Sequence, residues 1–155
     1  MSTNHAALVF YLSKAAKEMS RPSLRMRALI AESAGIHVTD AECIDYLLDM
    51  GQASATDLAQ AMHLSKSSVT AMIDRLERVG YVTRTIDETD RRRIIVAPNL
   101  PLVRERILPF YHAYGTAFQE MAHQYTHEEL CFLTKHYEAV TALYQQQVAI
   151  LECEE

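Results

Sequence analysis

The sequence predicts a mainly α-helical protein with one small β-hairpin. Three observations predict it. Glycine and proline are scarce, four each in 155 residues, while 49% of the residues are hydrophobic, so the chain can bury a sizeable core with helices. Apolar residues recur at three- and four-residue steps along most of the length. The period changes once, where two short β-rich runs flank a polar loop.

Residues 4 to about 19 carry Leu8, Leu12, Ala15, Ala16 and Met19 at helical spacing, and Pro22 is expected to interrupt them. A second helical run, SLRMRALIAESAG, ends at Gly35, a residue suited to a left-handed C-cap. Thr39 and Glu42 read as a capping box before Ile44, Leu47 and Leu48, and Gly51 closes that helix. Ser54 is expected to cap a short helix with Leu58, Ala59 and Met62 on one side. His63 and Leu64 make a turn. Ser65 then caps the helix SKSSVTAMIDRLERVG, which stops at Gly80. Tyr81–Thr85 and Ile94–Ala97 are the two strands of the hairpin. Asn99 and Pro101 restart helix, Pro109 is expected to kink it, and Thr126 with Glu129 opens a last helix reaching about Leu151.

Composition narrows the function classes. No run of about 18 apolar residues exists to span a membrane, and the N-terminus lacks the features of a signal peptide. Cys43, Cys131 and Cys153 form no CxxC pair, so the expectation is a reducing cytoplasm without a disulfide framework. No nucleophile motif, glycine-rich phosphate loop or paired catalytic carboxylates stand out, so the chain does not read as an enzyme and no cofactor is expected. His123 and His127 are four apart, but Thr126 places a helix start between them, so no metal site is expected.

Charge is uneven. The formal net charge is −5, yet residues 64–97 hold seven Lys/Arg against five acids, leaving −7 for the remainder. Locally basic segments point to an anionic partner. The helix from Ser65 puts Val69, Met72, Ile73 and Leu76 on one face. The other face carries Ser67, Thr70, Ala71, Asp74 and Arg78, with Lys66 and Arg75 at its flanks. Small residues in its first turns suit entry into a major groove about 12 Å wide. An ordinary solvated helix face would look the same on its own. The hairpin that follows separates the two readings, because its loop, DETDRRR, would reach the neighbouring minor groove.

Capped helices followed by a charged hairpin describe a winged helix-turn-helix. At residues 36–98 the chain resembles the MarR family of transcriptional regulators. The resemblance rests on LAQAMHLSKSSVTAMIDRLERVGYVTR and on Asp90-x-Arg92 followed by Ile94, Ile95 and Val96. The strand ends in Pro98-Asn99, where the family usually has Leu-Thr. The resemblance implies a winged helix-turn-helix at 36–98 between dimerisation helices at 1–35 and 99–155. It implies a homodimer on a pseudo-palindromic double-stranded operator, a small-molecule effector and a repressor's role. Arg92 would enter the minor groove, and Asp90 would orient it. Arg91 and Arg93 would sit nearer phosphate, with Ser65, Lys66, Ser67, Ser68, Thr70, Ala71 and Arg75 on the recognition helix. Effector candidates are Arg25, His37, Tyr46, Tyr111 and Tyr114. Two alternatives share the fold: a metal-responsive regulator, and a protein-interaction module without DNA binding.

Overall fold

Pro22 does not interrupt the first helix. In the computed structural model, which describes residues 3–87 and 89–152, one helix α1 runs Thr3–Ser33 with Pro22 inside it. Proline removes one rung of the ladder, at a cost of about 3 kcal/mol. Residues 17–24 are all exposed, so the carbonyl left without its rung faces water rather than core. Glu88 and Cys153, which figured in the charge and cysteine readings, lie outside the described residues.

The chain divides into two compact units, Met1–Phe110 and Tyr111–Glu155. In the first, α1 ends at Gly35 (φ 73°) with Gly35 N–H bonded to Glu32 and Ile36 N–H to Ala31, the paired closure that a left-handed residue permits. Helix α2, Val38–Met50, begins at His37 and not at Thr39. Gly35 turns the chain so soon that the His37 carbonyl already accepts from Asp40 and Ala41. Thr39 is thereby inside the first turn, and the expected box with Glu42 does not form.

Strand β1, Ala53–Ser54, leads into α3, Ala55–Ala61, through a complete capping box of Ser54 and Asp57. His63 takes a positive φ of 51° in the turn. Helix α4, Lys66–Arg78, is capped by the Ser65 hydroxyl on Ser68 N–H. Gly80 (φ 84°) reverses the chain into β2, Val82–Ile86, which pairs antiparallel with β3, Ile94–Pro98. The expected hairpin is therefore there, but it is part of a three-stranded sheet in the order β1-β3-β2. Two residues are too few to show a strand period, so β1 left no mark in the sequence.

The core of this unit holds Ile30, Ala31, Cys43, Ile44, Leu47, Leu58, Val69, Met72, Ile73, Leu76, Tyr81, Val96 and Val103. The four apolar positions expected on α4 are all in it. Burial pushes the Cys43 thiol up to about 12, with the Asp40 carboxylate adding to the effect, so this cysteine is an inert packing residue. Asn99 caps α5, Leu100–Arg106, and its amide also donates to the Gly80 carbonyl. The helix breaks at Ile107, ahead of Pro109, and α6 runs Leu108–Ala122.

The second unit holds most of α6 and all of α7, His127–Glu152. Thr126 and Glu129 form the expected capping box. That helix start falls between His123 and His127, as the sequence suggested. Among the described residues of this unit none is buried.

Candidate nucleic-acid interface

Helix α4 presents two chemically distinct faces. Val69, Met72, Ile73 and Leu76 are buried, while Ser65, Lys66, Ser67, Ser68, Thr70 and Ala71 are exposed. The Ser65 hydroxyl lies 2.9 Å from that of Ser67 and 2.8 Å from that of Ser68. These short side chains hydrogen-bond among themselves and leave the backbone of the first turns uncovered. The Thr70 hydroxyl donates to the Lys66 carbonyl at 2.8 Å.

Arg75 is not available to a duplex in the way its place on the helix suggested. Its guanidinium grips Asp40 with both forks, Nε to Oδ2 at 3.1 Å and Nη2 to Oδ1 at 2.6 Å. Asp40 is only 2% exposed. The pair fastens α4 to α2 across 35 residues of sequence. Asp40 lies on the stripe of Cys43, Ile44 and Leu47, and that spacing was the signal that it faces inward.

The wing is built as a rigid turn. The Asp87 N–H donates to the Arg93 carbonyl at 2.9 Å, and the Arg93 N–H to the Asp90 carbonyl at 2.8 Å. Arg91 and Arg92 are the two central residues of that inner turn. Asp90 does not meet the Arg92 guanidinium, as an extended stretch would have allowed. Its Oδ1 accepts from the Arg92 backbone N–H at 2.9 Å, which fixes the turn instead of the side chain. Arg93 does not point to solvent beside Arg91. Its guanidinium binds the Asp57 carboxylate. Arg84, on β2, bridges Asp74 and Glu77 of α4.

These pairings sort the cations. Arg75, Arg84 and Arg93 are held by internal acids. Among the described residues Lys66, Arg78, Arg91 and Arg92 make no ion pair, and all four are exposed. A groove of about 750 Å³ runs between α4 and the wing, with Lys66 and Thr70 on one side and Arg92 and Arg93 on the other. Its floor is Ile73, Ile94 and Val96.

Asp87 sets the wing's response to acid. Its carboxylate accepts the Thr89 hydroxyl and the N–H groups of Asp90 and Thr89, and those bonds hold its pKa at about 2. The folded value lies below the unfolded one, so the tip's order is intact above about pH 4 and is lost as pH falls through the folded value. A carbon-13 titration of the Asp87 carboxyl is expected to show a midpoint near 2. A midpoint at the ordinary 3.8 would mean that the tip turn does not form in solution.

Of the effector candidates, His37 lines a cleft of about 560 Å³ with Arg75 and Arg78, at the junction of α1, α2 and α4. Arg25 is exposed on α1, and Tyr46 is half-buried on α2. Tyr111 and Tyr114 lie on α6, in the second unit. Asp40, Asp57 and Arg84 are the site residues that sequence reasoning missed.

Residues 36–94 match the MarR family. The chain is 36% identical over 100 residues to the HTH-type transcriptional regulator YcgE of Bacillus subtilis, a match spanning 64% of each chain. It thus covers less than two thirds of the curated relatives it matches. Among solved structures, apo MarR from E. coli has a TM-score of 0.62 at 17% identity, covering 83% of this chain and 95% of that one. A mutant MepR of S. aureus, bound to an oligodeoxyribonucleotide, has a TM-score of 0.62 at 19% identity, covering 90% and 97%. At these identities the structures speak for the fold. Residues 36–94 are thus similar to the MarR family, and the chain shares its fold with the solved structures of MarR and MepR.

Proposed function

We propose that the chain is a sequence-specific, DNA-binding transcriptional repressor that acts as a cytoplasmic homodimer and is modulated by a small-molecule effector. One observation carries the reading: Lys66 and Thr70 from the exposed face of α4 and Arg92 from the wing tip border one groove. A helix of about 10–12 Å diameter fits a major groove about 12 Å wide, and small side chains let its backbone come close to the base edges. The wing then falls over the adjacent minor groove, where Arg92 is the inserted residue and Arg91 and Lys66 meet phosphate.

The helices outside the winged unit, at residues 1–35 and 99–155, are read as the dimer's interface. Phe10, Tyr11, Phe132, Tyr144 and Leu151 are exposed, which is more apolar surface than a monomeric soluble protein carries. A two-fold dimer places two wings on half-sites about one helical turn apart. For the effector, the candidate place is the cleft lined by His37, Glu32 and Arg78, in which Arg75 is already paired with Asp40.

The test is selection of duplexes from a random pool, followed by sedimentation of the complex. Two chains of 17.6 kDa are expected on each selected duplex. Arg92→Ala is expected to lose about 1–3 kcal/mol, most on A·T-rich flanks, while Arg91→Ala weakens all sequences alike. Should no sequence be enriched, or should Arg92→Ala keep both affinity and flank preference, the reading fails.

A further inference from the structure

We propose that Arg93 is not a DNA ligand but a positioning residue. Through Asp57 it latches the wing to the helix-turn-helix, so that Arg91 and Arg92 are presented as a fixed pair. The proposal rests on the DNA-binding reading above and gives two residues that line the groove, Arg93 and Asp57, a positioning role in it.

Four observations meet at this point. First, Arg93 stands at the neck of the tip loop: its carbonyl accepts from Asp87 and its N–H donates to Asp90. It is one of the two points, with Asp87, at which the tip joins the sheet. Second, its guanidinium spans 36 residues of sequence to Asp57 Oδ2. Third, that same oxygen accepts the Ser54 N–H at 3.0 Å and the Ser54 hydroxyl at 2.8 Å. Asp57 is therefore fixed by the α3 capping box, not a loose surface acid. Fourth, Ser54 pairs with Ile95 in the β1–β3 ladder, two residues beyond Arg93. The connections close a ring from Arg93 to Asp57 to Ser54 to Ile95 and back along β3.

The pair is half-exposed, at 46% and 38% for the two side chains. Such pairs add little to global stability. Their leverage is local. A loop ordered before binding does not have its freedom removed by the duplex. A modest preference for the docked tip then appears directly in affinity. The arrangement also explains the three adjacent arginines: two are offered outward, and the third holds them there.

The discriminating variant is Asp57→Asn. The amide oxygen can still accept from Ser54 and keep the cap, but the charge that holds Arg93 is gone. The latch predicts that Asp57→Asn and Arg93→Met each weaken binding to the selected duplex about three- to tenfold. It also predicts an unchanged salt slope, a double variant no worse than either single one, and a nearly constant melting temperature. Without DNA, backbone amide exchange at residues 87–93 should rise in both variants. If Asp57→Asn instead tightens binding and steepens the salt dependence, Arg93 is a phosphate ligand restrained by Asp57, and the proposal is overturned. Unchanged amide exchange in both variants overturns it too. If the wild-type protein binds no duplex, the exchange measurement still decides: a rise upholds the latch and only the DNA reading falls.

Discussion

Replacing Ala71 with phenylalanine is expected to abolish selective DNA binding and leave the fold intact. Ala71 is exposed on α4, one residue before the buried Met72 and Ile73. Nothing in the core depends on it. In a major groove about 12 Å wide, a helix of similar diameter has no room for an aromatic ring between its backbone and the base edges. The expected loss for the selected duplex is at least ~100-fold, while weak, salt-sensitive binding to arbitrary duplexes persists because it runs through phosphate. Ala71→Ser should bind nearly as the wild type does. The measurement is a titration of the selected and a scrambled duplex with all three proteins. Affinity of Ala71→Phe within twofold of wild type would mean that α4 meets the duplex by another face.

Arg75→Ala should destabilise the fold strongly for a residue outside the apolar core. It leaves the Asp40 carboxylate buried, at 2% exposure, without either of its two guanidinium bonds. Breaking one side of a buried pair costs about 3–5 kcal/mol. Arg75 itself is 39% exposed along its side chain, so water can partly replace it and the low end, about 3 kcal/mol, is expected. In a protein of this size that is a fall of about 6–12 °C in melting temperature. Removing both charges, as in Asp40→Leu with Arg75→Met, should recover most of it, since an apolar pair needs no compensation. Calorimetry of the four proteins gives the cycle. A single Arg75→Ala loss under about 0.5 kcal/mol would show that Asp40 finds water or another donor, contrary to its burial.

What was legible in the sequence was local. Ser54, Ser65, Asn99 and Thr126 cap the helices assigned to them, because a cap is settled within three residues. Gly35, Gly51 and Gly80 end elements with positive φ for the same reason. The buried face of α4 followed from its spacing alone. Long-range partners were not legible. Asp40 to Arg75 and Asp57 to Arg93 are joined across 35 and 36 residues, and no spacing rule reaches that far. Thr39 and Glu42 show the converse. The local motif was present, and the short connection from α1 moved the helix start away from it. Asp90 and Arg92 failed as a side-chain pair because the tip is a turn, not extended strand.

Pro22 has a consequence for the order in which the protein acquires its structure. α1 has 31 residues and is about 46 Å long at ~1.5 Å per residue. Beyond the proline, Ile30 and Ala31 anchor it in the core. Ahead of it, from residue 4 to 21, no residue is buried. Most helical stability in proteins comes from packing of an apolar face, which this arm lacks, and the proline removes the rung through which the anchored half would propagate it. The arm before Pro22 is thus a separate cooperative segment that frays in a lone chain and becomes helical when something covers it. On the dimer proposed above, folding of the winged unit comes first and assembly completes the arm.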